Sequence, residues 1–159
     1  MWLINTATFE LVFFVNPPLQ PGSKAGNYAI LSHTWDDNEV VFRDMADLGH
    51  ARLKKGWGKI EQTCRLARES SLPWAWVDTC CIDKSSSAEL SEAINSMFRW
   101  YELSKVCYVW LADLVLPFST AQMGGLADSF AQCRWFTRGW TLQVLTDPHF
   151  FLFGLWYYG

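Results

Sequence analysis

An α/β domain, with a mostly parallel central sheet flanked by helices, is the fold this sequence predicts. Three observations carry the expectation. Short apolar runs at Tyr28–Ser32, Trp74–Asp78 and Val106–Leu111 read as buried strands. Between them lie two segments with helical periodicity. Trp57, Ile60, Cys64 and Ala67 form one apolar stripe, and Leu90, Ala93, Ile94, Met97 and Tyr101 form a second. Strand, helix, strand, helix, strand in alternation argues for parallel strands joined by right-handed crossovers.

Each element has a local reason. Leu11–Val15 reads as a short N-terminal strand, closed by the turn-rich run Asn16-Pro17-Pro18-Leu19-Gln20-Pro21-Gly22-Ser23. His33, Thr34 and Trp35 follow the strand at Tyr28–Ser32. Asp36-Asp37-Asn38 is a turn, and Val40–Phe42 is expected to be a further short strand. The helix from Trp57 stops at Ser70-Ser71-Leu72-Pro73, because the residue before proline avoids the α region. Ser86-Ser87-Ala88-Glu89 has the capping-box spacing that opens a helix running to about Ser104. Residues 112–133, with a Gly124-Gly125 break, read as a variable loop. Trp135–Leu145 reads as a helix or strand-to-helix unit, and Phe150–Phe153 as a last strand. The chain is thus expected to be one domain: an N-terminal strand and loop over 1–27, an α/β core over 28–111, the loop over 112–133, and an Arg/Trp motif with a short apolar tail over 134–159.

Composition narrows the function classes. At 159 residues, half of them hydrophobic, the chain can bury a core without a metal or disulfide staple. Net charge is −3 and no long basic block occurs, which argues against nucleic acid as a partner. The five cysteines are odd in number and contain no C-x-x-C pair, so a zinc site is not expected. No basic-then-apolar leader is visible, so free thiols in a reducing cytoplasm are expected. The apolar tail Phe150–Tyr158 is too short to span a bilayer. The 10 Trp, 11 Phe and 5 Tyr can serve a core or a binding surface.

Ligands of open α/β sheets sit beyond the carboxyl ends of the strands. Two clusters are expected there: Ser32, His33, Thr34 and Trp35, and Asp78, Thr79, Cys80, Cys81 and Asp83. Asp78 could be a pocket carboxylate or could cap its own loop by accepting backbone N–H groups. Cys80 or Cys81 with His33 could form a thiolate–imidazole pair, against the commoner fate of a buried inert thiol. Glu89 has a structural role in the capping box, and Glu92 reads as either a carboxylate candidate or a solvated helix charge. Arg134-Trp135-Phe136-Thr137-Arg138-Gly139-Trp140 could build a cation–π stack or an anion-binding corner, or could simply bury its rings and solvate its guanidinium groups. P-loop, G-x-G-x-x-G, G-x-S-x-G and H-E-x-x-H patterns are all missing.

Three blocks in order resemble the heterokaryon-incompatibility (HET) domain of filamentous fungi. They are Tyr28–Trp35 with Glu39, Val40 and Phe42; Trp76–Lys84 running on to Met97, Trp100 and Tyr101; and Arg134–Gln143. The opening Leu3-Ile4-Asn5-Thr6 is similar to the usual start of such proteins. The resemblance implies a cytoplasmic death-inducing module of self/non-self recognition that works through protein partners or self-assembly. It also implies a distant likeness to TIR domains, with a flavodoxin/TIR-like three-layer arrangement and NAD as an analogous ligand. Some TIR domains cleave the nicotinamide–ribose bond with a glutamate, whose charge stabilises the oxocarbenium-like cation.

This chain departs from the family where that chemistry matters. Trp140-Thr141-Leu142-Gln143 is followed by Val144, where the family usually has Glu. Asp36 stands where Gly is common, and Trp2 where a basic residue is common. The departures imply a short, degenerate or truncated copy with no intact catalytic residue, Asp78 and Glu92 being the weak candidates. They leave Ser32, His33, Trp35, Asp78, Cys81, Arg138 and Trp140 as expected pocket residues, no metal, and a non-enzymatic role ahead of the alternative of a TIR-like NAD glycohydrolase.

Overall fold

The computed structural model describes residues 1–114 and 131–137, and the backbone of 151–154. Among these residues the sheet has six strands in the order β2-β1-β4-β3-β5-β6: β1 Trp2–Asn5, β2 Leu11–Phe13, β3 Tyr28–His33, β4 Trp74–Trp76, β5 Val106–Trp110 and β6 Phe151–Gly154. It is a mixed sheet, and the fold is α/β. β3 pairs in parallel with β4 and β5, and β5 pairs in parallel with β6. The N-terminal hairpin departs from this pattern: β1 is antiparallel to both β2 and β4. A four-residue loop-like segment, Trp2–Asn5, thus becomes an internal strand, with Leu3 and Ile4 fully buried.

β3 is buried at all six positions and β5 at all five. Strands covered on both faces need continuous apolar runs rather than alternation, which is why these two were readable. Helix α2 (Trp57–Glu69) buries the expected stripe of Trp57, Ile60, Cys64 and Ala67, together with Lys59 and Thr63. Helix α3 (Ser87–Leu103) packs Leu90, Ala93, Met97 and Tyr101 of its expected stripe against the core. Ala93 and Trp100 are buried, whereas Ile94 is 47% exposed. The buried line runs through Ala93, Met97 and Trp100, and Trp100 meets Trp76 of β4 edge-to-face at 5.7 Å. Tyr28 Oη donates to the Trp100 carbonyl at 2.6 Å and so ties the start of β3 to the end of α3. Gly26 allows this closeness, since a Cβ there would lie 2.7 Å from the Leu103 carbonyl oxygen.

Two local expectations are corrected. Val40–Phe42 is not a strand. Asp44 Oδ2 accepts the Val41 N–H at 2.7 Å and turns the chain into a 3-10 helix over Phe42–Ala46. A further short helix, α1 (Leu48–Ala51), follows with Asp47 as its N-cap. At the start of α3, the Ser86 hydroxyl accepts the Glu89 N–H at 3.3 Å as the capping box requires. The Glu89 carboxylate, however, reaches back to the Asp83 N–H at 2.9 Å. It therefore pins the loop after β4 to the helix. The expected unit over Trp135–Leu145 is described only to Thr137, where Arg134–Thr137 forms a 3-10 turn. The rest of that segment and Gly124-Gly125 lie outside the described residues.

Candidate functional site

β3 and β4 run parallel, so their carboxyl ends deliver His33 and Asp78 to the same edge of the sheet. His33 Nε2 lies 2.8 Å from Asp78 Oδ1, and Trp35 Nε1 donates to Asp78 Oδ2 at 2.9 Å. Asp78 thus holds one side chain with each oxygen. Burial pushes its carboxyl pKa upward, but the hydrogen bond and charge of His33, the Trp35 N–H and the Lys84 ammonium outweigh this and hold it below the usual value. Asp78 is therefore ionised at neutral pH, and His33 Nε2 must carry the hydrogen. On the ring of Trp35 sits the Lys84 ammonium, 3.9 Å from the centroid.

Side chains alternate along a strand, so Ser32 points away from His33. Its hydroxyl accepts the Trp135 indole N–H at 3.0 Å. Tyr101 Oη donates to the Leu31 carbonyl at 3.2 Å on the way to the same spot. The loop after Trp35 joins the two sides. Lys59, 5% exposed on α2, donates to the Thr34 carbonyl at 3.0 Å, to Asp36 Oδ2 at 2.9 Å and to Glu39 Oε1 at 2.5 Å. Arg134 Nη2 donates to the other Asp36 oxygen at 2.8 Å, and the Arg134 backbone N–H to Asp113 Oδ2 at 2.8 Å. Burial raises the Asp36 carboxyl pKa, but the bonds and charges of Arg134 and Lys59 more than reverse this and lower it. Residues from three distant stretches, 32–39, 78–84 and 134–135, therefore meet at one end of the sheet.

Two of these stretches, 32–39 and 78–84, lie within the part of the chain that a family model matches. The description heterokaryon incompatibility protein (HET) matches residues 28–116, more than half of the chain. The chain belongs to the heterokaryon incompatibility family. It is similar to the vegetative incompatibility protein HET-E-1 of Podospora anserina, at 49% identity over 135 residues. That match covers 80% of this chain but 10% of the relative, so the chain spans about a tenth of the relative's length. No solved structure matches it.

Within this HET domain the expected residues sort cleanly. His33, Trp35 and Asp78 form one hydrogen-bonded cluster, and Ser32 lies on the opposite side with Trp135. Among the described residues Asp78 caps no backbone; it organises two side chains. Cys81 is buried, and its sulfur accepts the Val77 N–H at 3.4 Å. The thiolate–imidazole pair is not formed: His33 Nε2 serves Asp78, and Nδ1 finds no partner among the described residues. The Cys80 thiol pKa is pushed well up by its hydrogen bond to Cys81 and by burial, so it stays protonated. Glu92 is exposed on α3, where its charge acts on the Met1 amine rather than on Asp78. Trp135 is core and Arg134 is paired with carboxylates, so Arg134 offers no empty anion corner. Arg138, Trp140 and Val144 lie outside the described residues. Lys59 and Lys84 were missed. Lys59 looks like any polar position of a helix, and nothing local in the sequence sets Lys84 over Trp35. Among the described residues no metal-binding group of His, Cys, Asp or Glu occurs, and no helix is long and apolar enough to cross a membrane.

Asp78→Asn keeps the shape of the cluster but removes its charge. It is expected to lower stability by about 1.5–3 kcal/mol at neutral pH, the range for hydrogen bonds to a charged group. Because the folded carboxyl pKa is depressed, its contribution is present above the ordinary value of about 4 and fades as pH falls through the folded value. Urea midpoints of both proteins from pH 7 down to pH 2 should therefore converge in acid. A gap that stays constant over that range would show that the Asp78 charge is not what holds the cluster.

Proposed function

We propose that this chain is a HET-domain module of vegetative incompatibility, a single cytoplasmic domain that signals self/non-self recognition and cell death through protein assembly. The observation that carries the reading is the convergence of the three family blocks on one end of the sheet, around Trp35, Asp78 and Arg134. Side chains held this firmly at a partly exposed edge suit a recognition surface, because little freedom is lost when a partner binds.

The layering is part of the same proposal. The crossover from β3 to β4 moves one way along the sheet, and that from β4 to β5 moves the other way, past β3. If both are right-handed, α2 and α3 fall on opposite faces. That supports a three-layer arrangement of flavodoxin/TIR-like kind.

The NAD glycohydrolase alternative finds no support in the family match or the relative, and neither Asp78 nor Glu92 is placed to serve it. Both oxygens of Asp78 already accept hydrogen bonds, so its charge is committed to His33 and Trp35. Glu92 lies apart, exposed on α3.

Induced expression in a filamentous fungal host tests the reading. The chain should arrest growth, and Trp35→Ala or Asp78→Asn at equal abundance should relieve the arrest. Hosts indifferent to the unmodified chain, or killing undiminished by both variants, would overturn it. Purified chain incubated with NAD should release no nicotinamide.

A further inference from the structure

Trp35 combines exposure with rigidity. It is 46% exposed, yet its N–H is fixed on Asp78 and its ring lies under Lys84. An anchored, partly bared tryptophan has the makings of a binding hot spot. A cation is drawn to the negative face of an aromatic ring, and an indole whose N–H donates to a carboxylate has that face enriched. Lys84 shows what the face attracts. The rim is acidic. Asp36 and Glu39 are engaged by Lys59 and Arg134. Asp37, exposed on the same turn, has no ion-pair partner among the described residues. Asp36, Asp37, Glu39, Asp78 and Asp83 outnumber Lys59, Lys84 and Arg134, so the local field favours positive charge.

We propose that Trp35 is the docking platform for a basic segment of a partner protein, with an arginine stacked on the indole in the place of Lys84 and paired with Asp37. The inference rests on the reading that this domain signals by protein assembly, and it names the chemistry of the partner. Arginine suits the site better than lysine because its planar, weakly hydrated guanidinium stacks and forks at once. A second copy of the chain fits less well, since each carries a net charge of −3.

The test titrates the purified, 15N-labelled chain with acetyl-Gly-Arg-Gly-Arg-Gly-amide and with its lysine and glutamate counterparts, following the indole N–H resonances. The Trp35 resonance is assigned by its loss in Trp35→Phe. The arginine peptide should shift that resonance, the lysine peptide should act more weakly, and the glutamate peptide should do nothing. Asp37→Asn should weaken the response. Lys84→Ala should tighten binding by about two- to fivefold, because the exposed cation–π contact it removes competes for the ring. Lys24→Ala removes the same charge from the loop before β3, at the other end of the sheet, and should leave affinity unchanged. A still Trp35 resonance, equal responses to arginine and lysine, or equal gains from Lys84→Ala and Lys24→Ala would each overturn the proposal. So would a dimer in sedimentation that dissolves in Trp35→Ala, since a second copy would then be the occupant. Should growth arrest persist while the peptides fail, the functional reading stands and only the basic partner falls.

Discussion

Lys59→Ala is expected to lower the free energy of unfolding by about 3–5 kcal/mol, the range seen when one partner of a buried ion pair is removed. Lys59 is buried in α2, and Glu39, its 2.5 Å partner, has a side chain only 10% exposed. Without the ammonium, Glu39 must keep an unpaired buried charge or take up a proton, and the Thr34 carbonyl loses its donor. The damage reaches the site, because the same ammonium holds Asp36, the residue after Trp35. Lys59→Met keeps most of the volume and the apolar stem, so it separates packing from charge. Denaturant midpoints should place Lys59→Met close to Lys59→Ala. If instead the methionine variant is nearly as stable as the unmodified chain, the Lys59 stem contributes by packing and its ammonium adds little. Rescue of Lys59→Met by a second change, Glu39→Gln, is the complementary expectation, since it removes the stranded charge.

Trp135→Ala is expected to lower stability by a comparable amount, about 3–5 kcal/mol, as for other large buried aromatic truncations. Trp135 is fully buried, stacks edge-to-face on Phe136 at 4.9 Å and donates to Ser32. Its loss should also loosen residues 131–137 from the sheet, because it removes the buried indole and its bond to Ser32, while the ion pair of Arg134 with Asp36 is 55% exposed on the arginine side. Exposed pairs are worth little on their own. Hydrogen exchange gives the discriminating measurement. Backbone amides of 131–137 should lose protection in Trp135→Ala while those of β3 and β5 keep theirs. Trp135→Phe should fall between the two, retaining apolar contact but not the bond to Ser32. Uniform loss of protection across β3 and β5 would mean that Trp135 belongs to the global core rather than to a separable block.

The parts of this fold that were legible share a physical trait: their environment is written in their own residues. β3 and β5 are continuous apolar runs, α2 carries its buried stripe at helical spacing, and Ser86 announces the start of α3. What was illegible depends on neighbours remote in the chain. Trp2–Asn5 becomes a strand only because β2 and β4 flank it. Ile94 is left exposed while Trp100 is buried, because Trp76 of the sheet meets the Trp100 ring. The site was half readable for the same reason. His33, Trp35 and Asp78 stand at strand ends, where chemistry is expected, and they do meet. Lys59 is a cation on a helix until the loop at Asp36 and Glu39 folds over it, and Cys81 looks reactive until the Val77 amide is seen to hold its sulfur. No periodicity encodes either arrangement.

The spacing of the bonds that assemble the site sets a time as well as a place. His33 and Asp78 are 45 residues apart, Asp36 and Arg134 are 98 apart, and Ser32 and Trp135 are 103 apart. Contacts of such range form late, after local structure and only once the distant partner is free to move. On a ribosome that adds residues one by one, the first two stretches can wait, but the edge around Trp35 has no complete form until Trp135 has cleared the exit tunnel. A nascent chain, or a product that stops short of that residue, would carry the Trp35–Asp78 cluster but lack the ties of Arg134 to Asp36 and of Trp135 to Ser32.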